Sequence, residues 1–360
     1  MDTSISAVRT WPLTRSMRRP WVPNAPEMHV TVVEVTDDQG NRGRGFSWTP
    51  TIGSRAIRVL IDHDIADFVV GRPTDPVRVW EQLWRHLHEV GGGGMTTIAM
   101  AGVDLALWDM KARRAHAGVP EVLGARHRRL PAYGSGVNLH YGIQELADQV
   151  QRWVEAGFSA VKLKVGSEDL GRDVARVGLA REILGADRKL MLDANQRWDL
   201  ETAERAVIAL AEFDLEWIEE PLRADDTSSY AELARRITRS GPGVPIAAGE
   251  NFHTIHRFRD VIRAEGAQIL QPNAIRVGGI TPFLRIADLV RESGLRLAPH
   301  VLPDLHGQLA ASLPEEVWVE DVEDAGLHSL GFLSTASPVR VEEGSALIEA
   351  AHGLGLEFSI

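Results

Sequence analysis

The chain has 360 residues, a formal charge of −11 and no cysteine. That length allows a large barrel plus a smaller domain and excludes a disulfide- or zinc-stapled mini-protein. The acidic balance excludes a protein built to neutralise nucleic-acid phosphates or anionic membranes, and the missing cysteines exclude thiol nucleophiles, disulfides and Cys-ligated zinc.

Residues 1–19 mix Ser, Thr and Arg, with no apolar stretch ahead of a small-residue cleavage site. The apolar windows elsewhere are short and bounded by charge, so no membrane span and a cytoplasmic location are expected. Residues 28–36 (MHVTVVEVT) alternate, residues 37–41 carry turn chemistry and residues 42–48 resume the alternation, which predicts a hairpin. Residues 56–69, 77–90 and 96–115 have the apolar spacing of helices. The last is Ala-rich and ends in basic residues, where the helix dipole favours them. Residues 1–125 therefore read as an α+β domain. The run Gly91–Gly94 reads as a mobile turn or a lead-in to that helix, because it lacks the Lys-Ser/Thr of a phosphate cradle.

From about Leu130 the pattern changes. Short apolar runs at 130–137, 160–165, 189–193, 215–219, 245–249, 268–271, 295–299 and 317–319 alternate with helical patterns at 143–156, 169–184, 200–212, 228–237, 255–265, 280–293 and 304–313. About eight strand–helix repeats predict a (β/α)-barrel over residues 126–325. The rival is a doubly wound open sheet, but the turn after the first run lacks a G-x-G-x-x-G fingerprint. Beyond it, residues 326–360 break the repeat. Strands at 338–341 and 354–360 are expected there, returning to complete the N-terminal domain.

Nearly every run ends on a polar residue: Lys162 and Lys164, Asp193 with Asn195, Glu219 with Glu220, Glu250 with Asn251, Asn273, His300 and Glu320. In a barrel these ends meet at one mouth, where active sites form. Asp193, Glu219 and Glu250 come from consecutive repeats, and an all-oxygen set of this kind suits Mg²⁺. Without a cation the three would repel one another and raise each other's pKa. Lys162 and Lys164, two apart on a strand, share a face, and their mutual repulsion together with the metal would lower Lys164 toward the range of a useful base. His300 is placed to act as an acid or base or to serve a structural role. Trp21 and Trp48 either line a lid over the mouth or pack in the N-terminal domain. The loops around residues 21–27 and 47–53 are expected to select the substrate.

The motifs AVKLKVG (160–166), LMLDANQRW (190–198), WIEEPL (217–222), AAGEN (247–251), QPNAIRVGGIT (271–281), LAPH (297–300) and WVED (318–321) follow in order. With them the chain resembles the enolase superfamily and, within it, the mandelate racemase-like group. The resemblance implies a modified (β/α)-barrel of the TIM type under an N-terminal α+β capping domain. It implies Mg²⁺ on Asp193, Glu219 and Glu250, Lys164 as general base, and Lys162 beside it near the substrate carboxylate. Asn195 matches a polar position that either contacts the substrate or supports a metal ligand from behind. Glu320 matches an acid that donates a hydrogen bond to the substrate carboxylate, a role that requires it protonated. His300 matches the histidine of a His–Asp dyad, but Asn273 stands where the aspartate belongs.

The implied chemistry is removal of the proton α to a carboxylate, giving an enediolate. Loss of a β-hydroxyl then makes a dehydratase of a sugar acid; reprotonation on the other face makes a racemase or epimerase. Asn273 disfavours a two-base racemisation, and it also admits a catalytically impaired binding or scaffold protein. A metal-dependent barrel hydrolase is a further alternative, weakened by the shortage of placed histidines. The expected partner is a small carboxylate, with no nucleic acid, and the resemblance implies a symmetric homo-oligomer.

Overall fold

The computed structural model describes residues 3–21, 26–241 and 243–360. Its first sheet is a three-stranded antiparallel meander: β1 (Ile5–Ser16), β2 (Glu27–Asp37) and β3 (Arg42–Thr49). The hairpin of β2 and β3 is the one expected. β1 was not, because its alternation is diluted by Arg, Thr and Pro12, which an edge strand tolerates. Residues 22–25 of the expected lid segment lie outside the described residues.

Helices α1 (Ser54–Leu60), α2 (Ala66–Val69), α3 (Pro76–Leu87) and α4 (Met95–Arg114) follow. Residues 61–65, which the apolar spacing placed in one helix with α1 and α2, form a π-helical turn between them. Buried along nearly its whole length, α4 lies against the sheet where glycines let backbones touch. A Cβ on Gly45 would fall 2.4 Å from the Gly102 carbonyl. The Gly91–Gly94 run is the lead-in to α4, where the Thr96 hydroxyl donates to the Gly91 and Gly93 carbonyls.

After α5 (Val119–Val122) the alternation begins: β4 (Arg129–Ser135), α6 (Ile143–Glu155), β5 (Ala160–Lys164), α7 (Leu170–Leu184), β6 (Lys189–Asp193), α8 (Leu200–Leu210), β7 (Leu215–Glu219), α9 (Thr227–Ser240), β8 (Ile246–Ala248), α10 (Ile255–Arg263), β9 (Ile269–Leu270), α11 (Ala274–Val277), α12 (Ile280–Glu292), β10 (Arg296–Leu297), α13 (Pro303–Ala311) and β11 (Val319–Val322). Strands β4 to β10 pair in parallel with their sequence neighbours, and β11 pairs in parallel with β4. The barrel therefore closes around β4. Among the described residues no ladder joins β10 to β11, which leaves a seam in the wall.

The tail departs from expectation. β12 (Val339–Glu342) and β13 (Ser345–Ile348) form a hairpin, and β13 pairs antiparallel with the start of β4. So residues 338–341 extend the barrel sheet and not the capping domain. The last residues do reach the cap, but as irregular chain: Phe358 packs on Phe46 and Glu357 pairs with Arg113. Cap and barrel are also tied by Asp104 of α4, which accepts from both the amide and the hydroxyl of Thr281 on α12. No helix among the described residues is long and apolar enough to cross a membrane.

Candidate active site

The barrel interior is layered by the period of two that a strand imposes. One layer is a closed apolar cluster of Tyr133, Ala160, Met191, Trp217, Ala247, Ile269 and Ala298, with Trp318 against it. Two residues further along each strand, on the same face, stand Ser135, Lys162, Asp193, Glu219, Gln271, His300 and Glu320. Lys164 is one step higher on β5. The rule fails only at β8, where Ala247 is followed two residues on by Gly249. That glycine sits at φ 142, with a Cβ position only 2.7 Å from the Gln271 nitrogen. No side chain fits, and the turn there brings the next residue, Glu250, inward.

Asp193, Glu219 and Glu250 each offer an oxygen, and the three oxygens lie within 4.8 Å of one another. All three residues are buried. Lys162, 1% exposed, donates to both Glu219 oxygens at 2.9 and 2.8 Å and pairs with Glu320 at 2.8 Å. The Lys164 ammonium is bonded to Asp193 Oδ2, and its backbone N–H donates to Asn138 Oδ1 at 3.0 Å. Asn195 sits at φ 44, which turns its N–H onto Asp193 Oδ1 at 2.8 Å. His300 Nε2 lies 3.0 Å from Glu250 Oε2, without the alignment of a hydrogen bond, and that buried oxygen has no other partner.

Sequence reasoning missed two contributors to this ring. Gln271 donates to Glu219 Oε2 at 2.7 Å. Its spacing of two from Asn273 on the same face was the available signal. Asn138 holds the backbone of Lys164, but its own position lies in a loop after β4 and carries no periodicity. Glu220, at φ 37, points away from the ring and is held by Gln196 and Asn251. Thus four buried carboxylates, Asp193, Glu219, Glu250 and Glu320, stand with the lysines 162 and 164. Burial and the charge of Asp193 push the Glu219 carboxyl well above its usual range. A dry cluster with more carboxylates than cations, and with an unpartnered Glu250 oxygen at its centre, fits a divalent cation with oxygen ligands.

Known proteins resemble this chain in sequence and fold. Residues 145–359 match the enolase C-terminal domain-like family, and residues 13–124 match the mandelate racemase / muconate lactonizing enzyme N-terminal domain. The chain belongs to the mandelate racemase-like group of the enolase superfamily. It is 35% identical to the 3,6-anhydro-alpha-L-galactonate cycloisomerase of Streptomyces coelicolor, over 92% of this chain and 90% of that one. It is 36% identical to the L-talarate/galactarate dehydratase of Salmonella typhimurium, over 92% and 81%. Among solved structures, a racemase from Streptomyces coelicolor A3(2) with bound magnesium superposes with a TM-score of 0.91 at 32% identity, covering 98% of this chain and 97% of that one. The L-talarate dehydratase of Polaromonas sp. JS666, complexed with Mg and L-glucarate, gives 0.88 at 35% identity, covering 99% and 95%. The expected capped barrel is thus the fold of this superfamily, and its members named here are lyases and isomerases.

Within that superfamily frame, some expectations change. Glu320 stands as a hydrogen-bond acceptor. Burial raises its carboxyl, but Lys162, with help from His300 and Lys164, outweighs burial and draws it down to about 2. It accepts from Lys162 and from the Val301 N–H at 2.8 Å, so it is an acceptor where a donor was expected. With Asp193 free of a cation, Lys164 is raised: burial and Lys162 press it down, but the adjoining Asp193 charge prevails. Trp48 is buried in the cap and Trp21 packs edge-on against it at 6.0 Å. Among the described residues they take the packing alternative, and neither hydrogen-bonds to the ring. The structure brings together Lys162, Lys164, Asp193, Asn195, Glu219, Glu250, Asn273, His300 and Glu320.

Proposed function

We propose that this chain is a magnesium-dependent dehydratase of acid sugars, with Asp193, Glu219 and Glu250 as the metal ligands and Lys164 as the base. The observation that carries the reading is the Lys164 ammonium set against Asp193, inside three convergent carboxylates. Magnesium, when bound there, supplies positive charge for the substrate carboxylate as its α proton becomes acidic. The chain's residues do the rest. Asp193 is what holds the proton on Lys164, and neutralising Asp193 frees Lys164 to accept the substrate's α proton. Lys162, fixed between Glu219 and Glu320, keeps its proton well above the usual lysine range against the pull of burial. It stands as a permanent cation for the charge that develops on the substrate. Glu320, ionised, orients Lys162. Asn195, exposed at the mouth beside Asp193, contacts the substrate.

The balanced reaction breaks the α C–H bond, with the proton going to Lys164. It then breaks the β C–O bond, and the departing hydroxide takes the proton that Lys164 received and leaves as water, which returns Lys164 to its starting form. The enol that remains becomes a 2-keto acid. Across the mouth His300 supports the leaving oxygen. The test is incubation with magnesium and a panel of aldonates and aldarates, assayed for 2-keto acid. Keto acid that appears with magnesium, disappears with chelator and is absent in Lys164→Ala is expected. Isomerisation without keto acid overturns dehydration in favour of an epimerase. Magnesium binding with neither product supports the scaffold reading.

A second reading has one specific support, the 35% identical cycloisomerase relative. If the β-oxygen is tethered in an anhydro ring, the same two bond cleavages release no water and leave the mass unchanged. A mass-neutral product from an anhydro-sugar acid, with none from open-chain acids, would establish it.

A further inference from the structure

We infer that Asn273 fixes the His300 ring in the tautomer that carries its proton on Nε2, so that His300 faces the pocket as a hydrogen-bond donor and never as a base. Asn273 precedes the four-residue helix α11, and its Oδ1 accepts from the N–H groups of Ile275 at 2.9 Å and Arg276 at 3.3 Å. Turning the amide over would set its NH2 against two backbone N–H groups and lose both bonds. The NH2 is therefore committed to the other side, where Nδ2 lies 3.1 Å from His300 Nδ1 and 3.4 Å from the His300 carbonyl. An amide nitrogen can only donate. Hence His300 Nδ1 must present a lone pair, and the neutral ring's single proton sits on Nε2, the atom beside Glu250.

The surroundings hold this arrangement still. Asn273 is fully buried. The next residue, Ala274, donates its N–H to His306 Nε2 at 2.9 Å, and His306 Nδ1 meets the Val301 carbonyl. His306 is thus the opposite tautomer, a donor at Nδ1 and an acceptor at Nε2. Trp80 Nε1 donates to Gly278 and Trp108 Nε1 to Thr281, so the cap clamps the turn that follows α11. An aspartate in place of Asn273 could keep one oxygen on the two backbone N–H groups and offer the other to a His300 Nδ1–H. That would move the lone pair to Nε2 and make His300 a base. One amide nitrogen for one carboxylate oxygen decides between the two. Asn273 acts here through His300, as a positioning residue.

For the reaction, this inference rests on the proposed abstraction by Lys164. It makes the chemistry one-based: the α proton exchanges with solvent on the Lys164 face alone. The decisive test does not depend on turnover. In the magnesium-loaded full chain labelled with ¹⁵N-histidine, ring ¹H–¹⁵N correlations report the tautomer, with His300 assigned by its loss in His300→Gln. His300 is expected as the Nε2–H form and His306, in the same spectrum, as the Nδ1–H form. Asn273→Asp is expected to abolish the Nε2-only pattern of His300 and leave His306 unchanged. An Nδ1–H form of His300 in the native chain, or no change in Asn273→Asp, would overturn the inference.

Solvent-deuterium exchange supplies the second arm. The native chain is expected to exchange one α-configuration of its substrate. Asn273→Asp is expected to gain exchange at the other by about 10²-fold or more, the usual worth of a positioned acid or base. Equal exchange of both configurations by the native chain would contradict the inference. Absence of any exchange in either protein, with the expected spectra, would sink the proposed reaction and leave the tautomer assignment standing.

Discussion

Two adjacent layers of one barrel, two residues apart on the same strands, have opposite characters. The layer of Tyr133, Met191, Trp217 and Ile269 is closed and apolar. The layer of Lys162, Asp193, Glu219, Gln271, His300 and Glu320 crowds ionisable and polar side chains into a space as dry. In the lower layer stability comes from contact and volume. In the upper one it comes from a balance of charges that no single pair sets. Energy is stored in the upper layer, and the lower one supplies the rigidity that keeps it there.

The sharpest way to separate the layers is Lys164→Ala. Turnover should fall by roughly 10⁴-fold, the upper range for a positioned acid–base group, while the thermal midpoint holds. Equal losses in both would merge the layers. In the apolar layer Met191→Ala should do the reverse. Unfolding free energy should drop by about 2–5 kcal/mol in a denaturant titration, with turnover of the folded enzyme within tenfold of native.

Asp193→Asn probes the charge balance. Magnesium at 100 times its Kd should stabilise the native chain by about 2.7 kcal/mol, read as a rise in melting temperature. The variant should lose that rise. His306, at the edge of the polar layer, gives a pH handle. Burial pushes its pKa from 6.5 down to about 4, with His300 adding to the fall and the Val301 carbonyl and Glu320 opposing it. The folded state keeps the ring neutral while the unfolded chain protonates it. Stability is therefore full above about pH 6.5 and declines as pH falls toward 4. His253, lowered to about 4 by burial, acts with the same sign. His306→Gln, which keeps a donor and an acceptor, should flatten part of that slope in urea midpoints taken between pH 7.5 and 4.5. The smallest effect belongs to Tyr133→Phe. Its buried hydroxyl has no partner, so removing it should cost under about 1 kcal/mol or stabilise. A larger loss would mean the apolar layer depends on that oxygen.

Much of this was legible in the chain. β6 and β7 fall on the residues that the apolar runs marked, and the polar ring follows from strand periodicity applied to those runs. What failed did so for identifiable reasons. β1 is an edge strand with a broken pattern, and β13 is only four residues long after a glycine turn. The ionisation of Glu320 depends on Lys162 lying 2.8 Å away, a distance between strands that pair only through β4. The direction of the Asn273 amide depends on α11, a helix too short to leave a periodic trace.

The seam between β10 and β11 has a consequence for how the wall holds. With no ladder there, the Val301 N–H reaches across to the carboxylate of Glu320, which in turn grips Lys162 on β5. The stitch that shuts the cylinder is thus made by a member of its own reactive set. Replacing Glu320 would slacken the staves of the cask along with its chemistry, so damage at this one side chain reads out as both leakage and silence.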